Sequence, residues 1–219
     1  MSPAEPRWST VLFDLDGTLL DTIGLIIESF HATFAEAGIP PFSVDEVRSW
    51  IGLTLEDTFR PIAPDRVEEL VETYRRINRV KHDDQVRAFR GVRSLLLFLE
   101  QEGVEIGVVT AKYPGLAHRG IEVSGLPAVP LLIGNGDVPR NKPAPDPILR
   151  AMHLSGSAPE DTVYVGDAPT DIRAGQAAGV ATIGVTWGAA SRDDVAAAGP
   201  THLVDTLEQL RACLLPATC

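Results

Sequence analysis

The chain has 219 residues, 30 of them acidic and 19 basic, for a formal net charge of −11. That balance argues against a nucleic-acid partner and against an anionic membrane surface, because both are held by Lys and Arg neutralising phosphates. With 44% hydrophobic and 22% charged residues, the composition is that of a globular protein able to bury a core, at a length suited to one large domain or a domain with an insertion. Met1 to Thr10 carries Pro3, Glu5, Pro6 and Arg7 and lacks the apolar stretch of a signal peptide. No segment approaches the ~20 apolar residues needed to span a bilayer. The first continuous apolar run, Thr10 to Phe13, predicts a strand buried on both faces. Thr22 to Ala37 then places Ile23, Ile26, Ile27, Phe30 and Phe34 on one helical stripe, stopped by Gly38 and Pro40-Pro41. A shorter helix is predicted from Val44 to Trp50, broken at Gly52, and a longer one from Pro64 to about Lys81.

From about residue 91, strands and helices alternate. Apolar runs at Glu105–Val109, Pro130–Ile133, Thr162–Val165 and Ala181–Val185 are separated by helix-period segments at Val92–Glu102, Pro114–Val123, Pro145–Met152 and Thr170–Ala178, and Asp194 to Gly199 reads as a helix and its stop. This predicts an α/β fold, a Rossmann-like, doubly wound parallel sheet with helices on both faces. Residues 1–19 and 89–219 would form that core, and residues 20–88 a helical domain inserted after the first strand. Cys213 and Cys219 close no useful loop, so a disulfide framework is not expected and a reducing, cytoplasmic setting is.

The chemistry gathers at strand ends. Asp14 and Asp16 follow the first strand, and Asp167 follows Val163-Tyr164-Val165-Gly166, with Asp171 one helical turn later. In open α/β sheets, ligands bind beyond the carboxyl ends of the strands. Repelling carboxylates there need a cation or a proton between them, and an all-oxygen cluster without nearby Cys or His suits Mg²⁺ rather than Zn²⁺. Thr110 ends a third strand and Lys142 precedes a helix start. A hydroxyl, an ammonium, a divalent cation and two carboxylates are the parts phosphoryl transfer needs.

Asp14-Leu15-Asp16-Gly17-Thr18, Thr110, Lys142 and Gly166-Asp167 with Asp171 stand in the order of the four motifs of the haloacid dehalogenase superfamily, whose phosphohydrolases this chain resembles over nearly its whole length. The resemblance implies a nucleophile at Asp14 that forms an aspartyl phosphate, and a general acid–base at Asp16. It implies Mg²⁺ on the Asp14 carboxylate, the Asp16 main-chain carbonyl and the Asp167 carboxylate, with Asp171 in support. Thr110 and Lys142 would hold the phosphoryl group. Asp16 is absent from the dehalogenating relatives, whose halide leaves without a proton, so a phosphate ester or anhydride is expected.

In this superfamily a helical insertion at residues 20–88 implies a cap that closes over the site and selects the substrate. Related β-phosphoglucomutases, the main alternative, carry a cap histidine where Ile26 stands and an arginine where Leu55 stands, so hydrolysis is expected. A phosphoacceptor module is the second alternative, but such modules are about half this length and have no cap. The stretches Gly17–Phe30 and Ile51–Phe59, and Tyr74-Arg75 with Asn78, His82 and Asp83, resemble the phosphoglycolate phosphatase-like group and within it the PpaX-type pyrophosphatases. Leu53 and Thr54 stand where that subgroup usually has prolines. A small phosphorylated substrate, pyrophosphate or a 2-phosphoglycolate-like monoester, is therefore expected, with Gly52, Thr54, Arg75 and Lys112 as candidate contacts. Arg75, Arg76, Arg79 and Lys81 also read as a solvated helical face, Lys112 as a loop lysine and Trp187-Gly188 as a packed strand end.

Overall fold

The computed structural model describes residues 6–215; the first five residues of the N-terminal segment and Cys219 lie outside the described residues. Strand β1 (Thr10–Phe13) is followed by a two-residue strand β2 (Leu20–Asp21), then by helices α1 (Ile23–Ala37), α2 (Val44–Ser49), α3 (Leu55–Phe59) and α4 (Val67–Gln85), and by strand β3 (Arg87–Ala88). The alternating part comprises α5 (Val92–Gln101), β4 (Glu105–Val109), α6 (Pro114–Val123), β5 (Leu131–Ile133), α7 (Asp146–Ser155), β6 (Thr162–Gly166), α8 (Pro169–Ala178), β7 (Ala181–Val185), α9 (Arg192–Ala197), β8 (His202–Val204) and α10 (Leu207–Leu214).

Six strands form one parallel sheet in the order β5-β4-β1-β6-β7-β8, the doubly wound arrangement expected. Its central strands are apolar without alternation because both faces are covered. Val11 and Phe13 enter the core on one face with Val108, Val163 and Val165, while Leu12 enters the core on the other with Val109 and Tyr164. Each fully buried Val, Leu or Phe contributes about 1.5–3 kcal/mol of transfer free energy. Order reverses on either side of β1, so the crevice at the switch point opens over the ends of β1, β4 and β6.

Helices α1 to α4 enclose a third cluster around Phe30, whose ring lies 4.7 Å from that of Tyr74, 5.5 Å from Phe59 and 5.7 Å from Trp50. Gly38 stops α1 in the left-handed region at φ 67°. Ser43 starts α2 with a reciprocal capping box to Glu46. Leu20–Asp21 pairs antiparallel with Arg87–Ala88, so the chain leaves and re-enters the sheet domain through one narrow ribbon. That ribbon, α3, β8 and α10 are additions to the predicted elements, and α4 runs four residues beyond Lys81, to Gln85. No helix among the described residues is long and apolar enough to cross a membrane.

Candidate active site

Pairing of β1 with β6 continues one residue past the strand, where the Asp14 N–H donates to the Val165 carbonyl at 2.8 Å. Asp14 is thereby held, buried, at the central strand's carboxyl end. Asp167 and Asp171 reach the same place from the end of β6 and the first turn of α8, and oxygens of the three carboxylates lie within 4.8 Å of one another.

Lys142, in the loop before α7, is buried among them. Its Nζ donates to Asp14 Oδ1 at 2.8 Å, Asp171 Oδ1 at 2.6 Å and Tyr164 Oη at 3.0 Å, which uses every ammonium hydrogen. Tyr164 passes its own hydrogen to the Val109 carbonyl at 2.9 Å. Burial alone would pull the Lys142 ammonium toward neutrality, but Asp14 and Asp171 outweigh it and hold its pKa well above the usual value. The carboxylates feel the converse. Burial pushes Asp14 well up, against the pull of Lys142 and with the push of Asp171 and Asp167. Burial, then Asp171, push Asp167 up to about 7, although the Ala189 N–H at 2.7 Å and the Thr18 hydroxyl at 2.8 Å both donate to it.

One ammonium among three buried carboxylates leaves an uncompensated negative charge, and the donor set is all oxygen. The residues present therefore fit a hard divalent cation such as Mg²⁺. Both oxygens of Asp171 are engaged, by Lys142 and, at 3.0 Å, by the Ala168 N–H, as both oxygens of Asp167 are by Thr18 and Ala189.

Asp16 is turned elsewhere. Its Oδ1 accepts from the Thr22 hydroxyl at 2.7 Å and from Lys112 Nζ at 2.6 Å, so its carboxylate is not part of the Asp14–Asp167–Asp171 cluster. Thr22, at the N-cap of α1, makes no side-chain bond to that helix and serves Asp16 instead. Thr110 closes β4 with its N–H on the Ile133 carbonyl at 2.9 Å. Asp14, Asp16, Thr110 and Lys112 line a cavity of about 90 Å³ together with Ile26, Phe30, Trp50 and Leu55 from the helical region.

Of the candidate substrate contacts, Gly52, Arg75 and Lys112 line this cavity. Thr54 does not appear on its wall: Thr54 Oγ1 caps α3, accepting the Asp57 N–H at 3.1 Å and donating to Asp57 Oδ2 at 2.7 Å. Asn78 and Asn135 also face the cavity, Asn78 donating to Ser29 Oγ at 3.0 Å while its carbonyl oxygen has no partner among the described residues.

Sequence reasoning missed the glycines that hold the carboxylates. A Cβ at Gly188 would stand 2.2 Å from Asp167 Oδ2, one at Gly17 2.4 Å from the same atom, and one at Gly166 2.4 Å from Asp171 Oδ2. Gly17 also needs its φ of 88°. Trp187-Gly188 is thus more than a packed strand end: Trp187 Nε1 donates to the Thr18 carbonyl at 3.2 Å, and the chain just beyond seats Asp167.

The family profile described as haloacid dehalogenase-like hydrolase matches residues 11–185. The chain is 37% identical over 207 residues to the pyrophosphatase PpaX of Anoxybacillus flavithermus, covering 94% of this chain and 96% of that protein. A haloacid dehalogenase-like hydrolase from Streptococcus pneumoniae superposes with a TM-score of 0.82 at 25% identity, over 94% of this chain and 98% of that one. A crystal structure from Lactobacillus delbrueckii, provisionally named a phosphoglycolate phosphatase, superposes with a TM-score of 0.78 at 25% identity, over 96% and 99%. The matched residues run from β1, which carries Asp14, to the end of β7, and the chain belongs to the haloacid dehalogenase-like hydrolase family as one of its phosphatases.

Proposed function

We propose that the chain is a Mg²⁺-dependent phosphohydrolase working through an aspartyl phosphate, with inorganic pyrophosphate as first candidate substrate and a small monoester such as 2-phosphoglycolate as second. The observation that carries this reading is the seat of Asp14: a buried carboxylate on a cavity floor, fixed by Lys142 and clustered with Asp167. Relatives named for pyrophosphate hydrolysis, aligned over more than nine-tenths of the chain, support the choice of substrate.

In this mechanism an oxygen of Asp14 attacks phosphorus as the bond to the leaving oxygen breaks. Asp16, on the same floor, gives that oxygen a proton; it then takes a proton from the water that cleaves the aspartyl phosphate and releases phosphate. Lys112 and Thr22 orient the Asp16 carboxylate. Lys142, with all its hydrogens engaged, acts by fixing Asp14 and by its charge. Thr110 lies where it can meet the phosphoryl oxygens. Asp14, Asp167 and the Asp16 carbonyl would hold Mg²⁺, with Asp171 orienting Lys142, and the ion supplies neutralisation of phosphoryl charge. Residues 20–88 act as the cap, whose apolar wall excludes water. Ile26 and Leu55 offer no acid–base group there, which favours hydrolysis over transfer to a second hydroxyl.

The test is phosphate release with and without Mg²⁺ from pyrophosphate, 2-phosphoglycolate and a panel of sugar phosphates. The expected result is Mg²⁺-dependent release with the highest kcat/KM for pyrophosphate, lost by a factor of at least ~10³ in Asp14→Asn while the fold is kept. A higher kcat/KM for a monoester would keep the mechanism and change the substrate. Turnover retained in Asp14→Asn would remove the nucleophile.

A further inference from the structure

Glu56, on α3, lies between the helical region and the sheet domain, and each of its carboxylate oxygens is bound from a different side. Oε1 accepts from Arg75 Nη2 on α4 at 3.2 Å, and Oε2 accepts from Asn135 Nδ2, in the loop after β5, at 3.0 Å. Asn135 continues the chain: its Oδ1 accepts from Asn141 Nδ2 at 3.2 Å, and Asn141 directly precedes Lys142. The Asn135 N–H donates to the Lys112 carbonyl at 3.0 Å, and Lys112 Nζ binds Asp16. One carboxylate of the helical region is thus connected through Asn135 to the backbone beside both lysines that hold Asp14 and Asp16.

We propose that Glu56 is a positioning residue that latches the closed cap onto the loop leading to Lys142, so that closure steadies the segment next to the nucleophile's lysine. This rests on the phosphohydrolase reading above. Position supports it. The cap joins the sheet domain at the β2–β3 ribbon, and Arg75 lies ten residues before the end of α4 at Gln85, about 15 Å up the helix at 1.5 Å per residue. A contact that far from the hinge breaks early on opening, whereas the Arg119–Asp83 pair, close to the ribbon, would survive a swing. The Glu56–Asn135 bond joins residues 79 apart in sequence, so no local turn or helix requires it.

The polarity of the chain supplies the test. Asn135→Asp sets a carboxylate against Glu56 and removes the amide hydrogen it accepts. Adding Glu56→Gln restores a donor facing the new carboxylate, leaves an oxygen for Arg75 and leaves the Asn141 amide its acceptor. Asn135→Asp is expected to lower kcat/KM about 10-fold or more, by a similar factor for pyrophosphate and for 2-phosphoglycolate, and mainly through kcat. The double variant Glu56→Gln/Asn135→Asp is expected to recover most of that loss, and hydrogen exchange in α3 and the 134–142 loop to quicken in the single variant and slow again in the double. Equal exchange in both with unchanged kcat/KM, or losses that simply multiply in the double variant, would overturn the latch. The exchange arm needs no turnover, so it decides the latch even if turnover retained in Asp14→Asn were to remove the nucleophile.

Discussion

The floor and the roof of the cavity are built on opposite plans. On the floor, Asp14, Asp167 and Asp171 are each tied by hydrogen bonds to Lys142, Thr18 or main-chain N–H groups, and glycines press against two of them so closely that no methyl group fits. The roof is an aromatic and aliphatic cluster with few polar atoms, among them the Arg75–Glu56 pair and the half-satisfied Asn78. Hydrogen bonds and backbone wedges fix positions to fractions of an ångström, as bond-making at phosphorus requires. Apolar packing tolerates exchange of side chains of similar volume. A floor of the first kind under a roof of the second would let the chemistry stay constant while side chains of the roof are exchanged.

The comparison is broken most severely at Gly188. Gly188→Ala drives a Cβ into Asp167, which must move or expel the backbone. Expected are a loss of about 1–3 kcal/mol in stability, weakened Mg²⁺ binding and at least ~100-fold lower kcat, read by thermal melts, metal titration and phosphate release. A volume-conserving change in the roof, by contrast, should leave Mg²⁺ affinity untouched.

A smaller effect separates the two regions by pH. Asp167 has its pKa pushed up to about 7 by burial and Asp171, against a usual value near ~3.9 in an unfolded chain. Between those values the native metal-free protein holds a proton that the unfolded chain has released, so stability falls as pH rises toward 7 and levels off above it. At the proposed metal site Mg²⁺ would compete with that proton. Melting temperatures in chelator should therefore decline from pH 5 to 7, and the increment gained on adding Mg²⁺ should grow over the same range. An increment equal at pH 5 and pH 8 would refute this account of the floor.

Smallest is Thr54→Ala. Losing the cap of α3 costs about 1 kcal/mol, and kcat/KM should stay within about threefold. A tenfold loss would return Thr54 to the substrate.

Which parts could be read in advance follows from the range of the forces involved. Asp14, Thr110 and Asp167 are legible because each directly follows a continuous apolar strand, and a buried strand has to deliver its last polar residue at the sheet's edge, while Asp16 is legible from its two-residue spacing to Asp14. The contacts of Thr18, Gly188 and Ala189 with Asp167 are not legible, because they join segments that meet only once β1, β6 and β7 are side by side, and periodicity carries no such information. Tyr164 passed as one more apolar strand residue; its hydroxyl matters only through Val109 and Lys142 across the sheet. Short α3 and β8 fall below the length at which a period can be seen. Thr54 is instructive in another way: the spacing to Asp57 is that of an N-terminal cap, a signal present in the sequence but outweighed by the likeness of the surrounding loop to a substrate-contacting one.

The ribbon of Leu20–Asp21 with Arg87–Ala88 also bears on how the chain finds its fold. Strand β1 must pair with β4, Thr10 opposite Glu105, across a long stretch of chain. If the inserted helices gather first and the ribbon zips, the effective loop between the two strands shrinks about threefold, which at (3/2)RT ln n lowers the closure entropy by ~1 kcal/mol. Early folding of the insertion would then offset most of the delay its length imposes on the sheet's assembly, with the ribbon serving as a clip in the folding transition state.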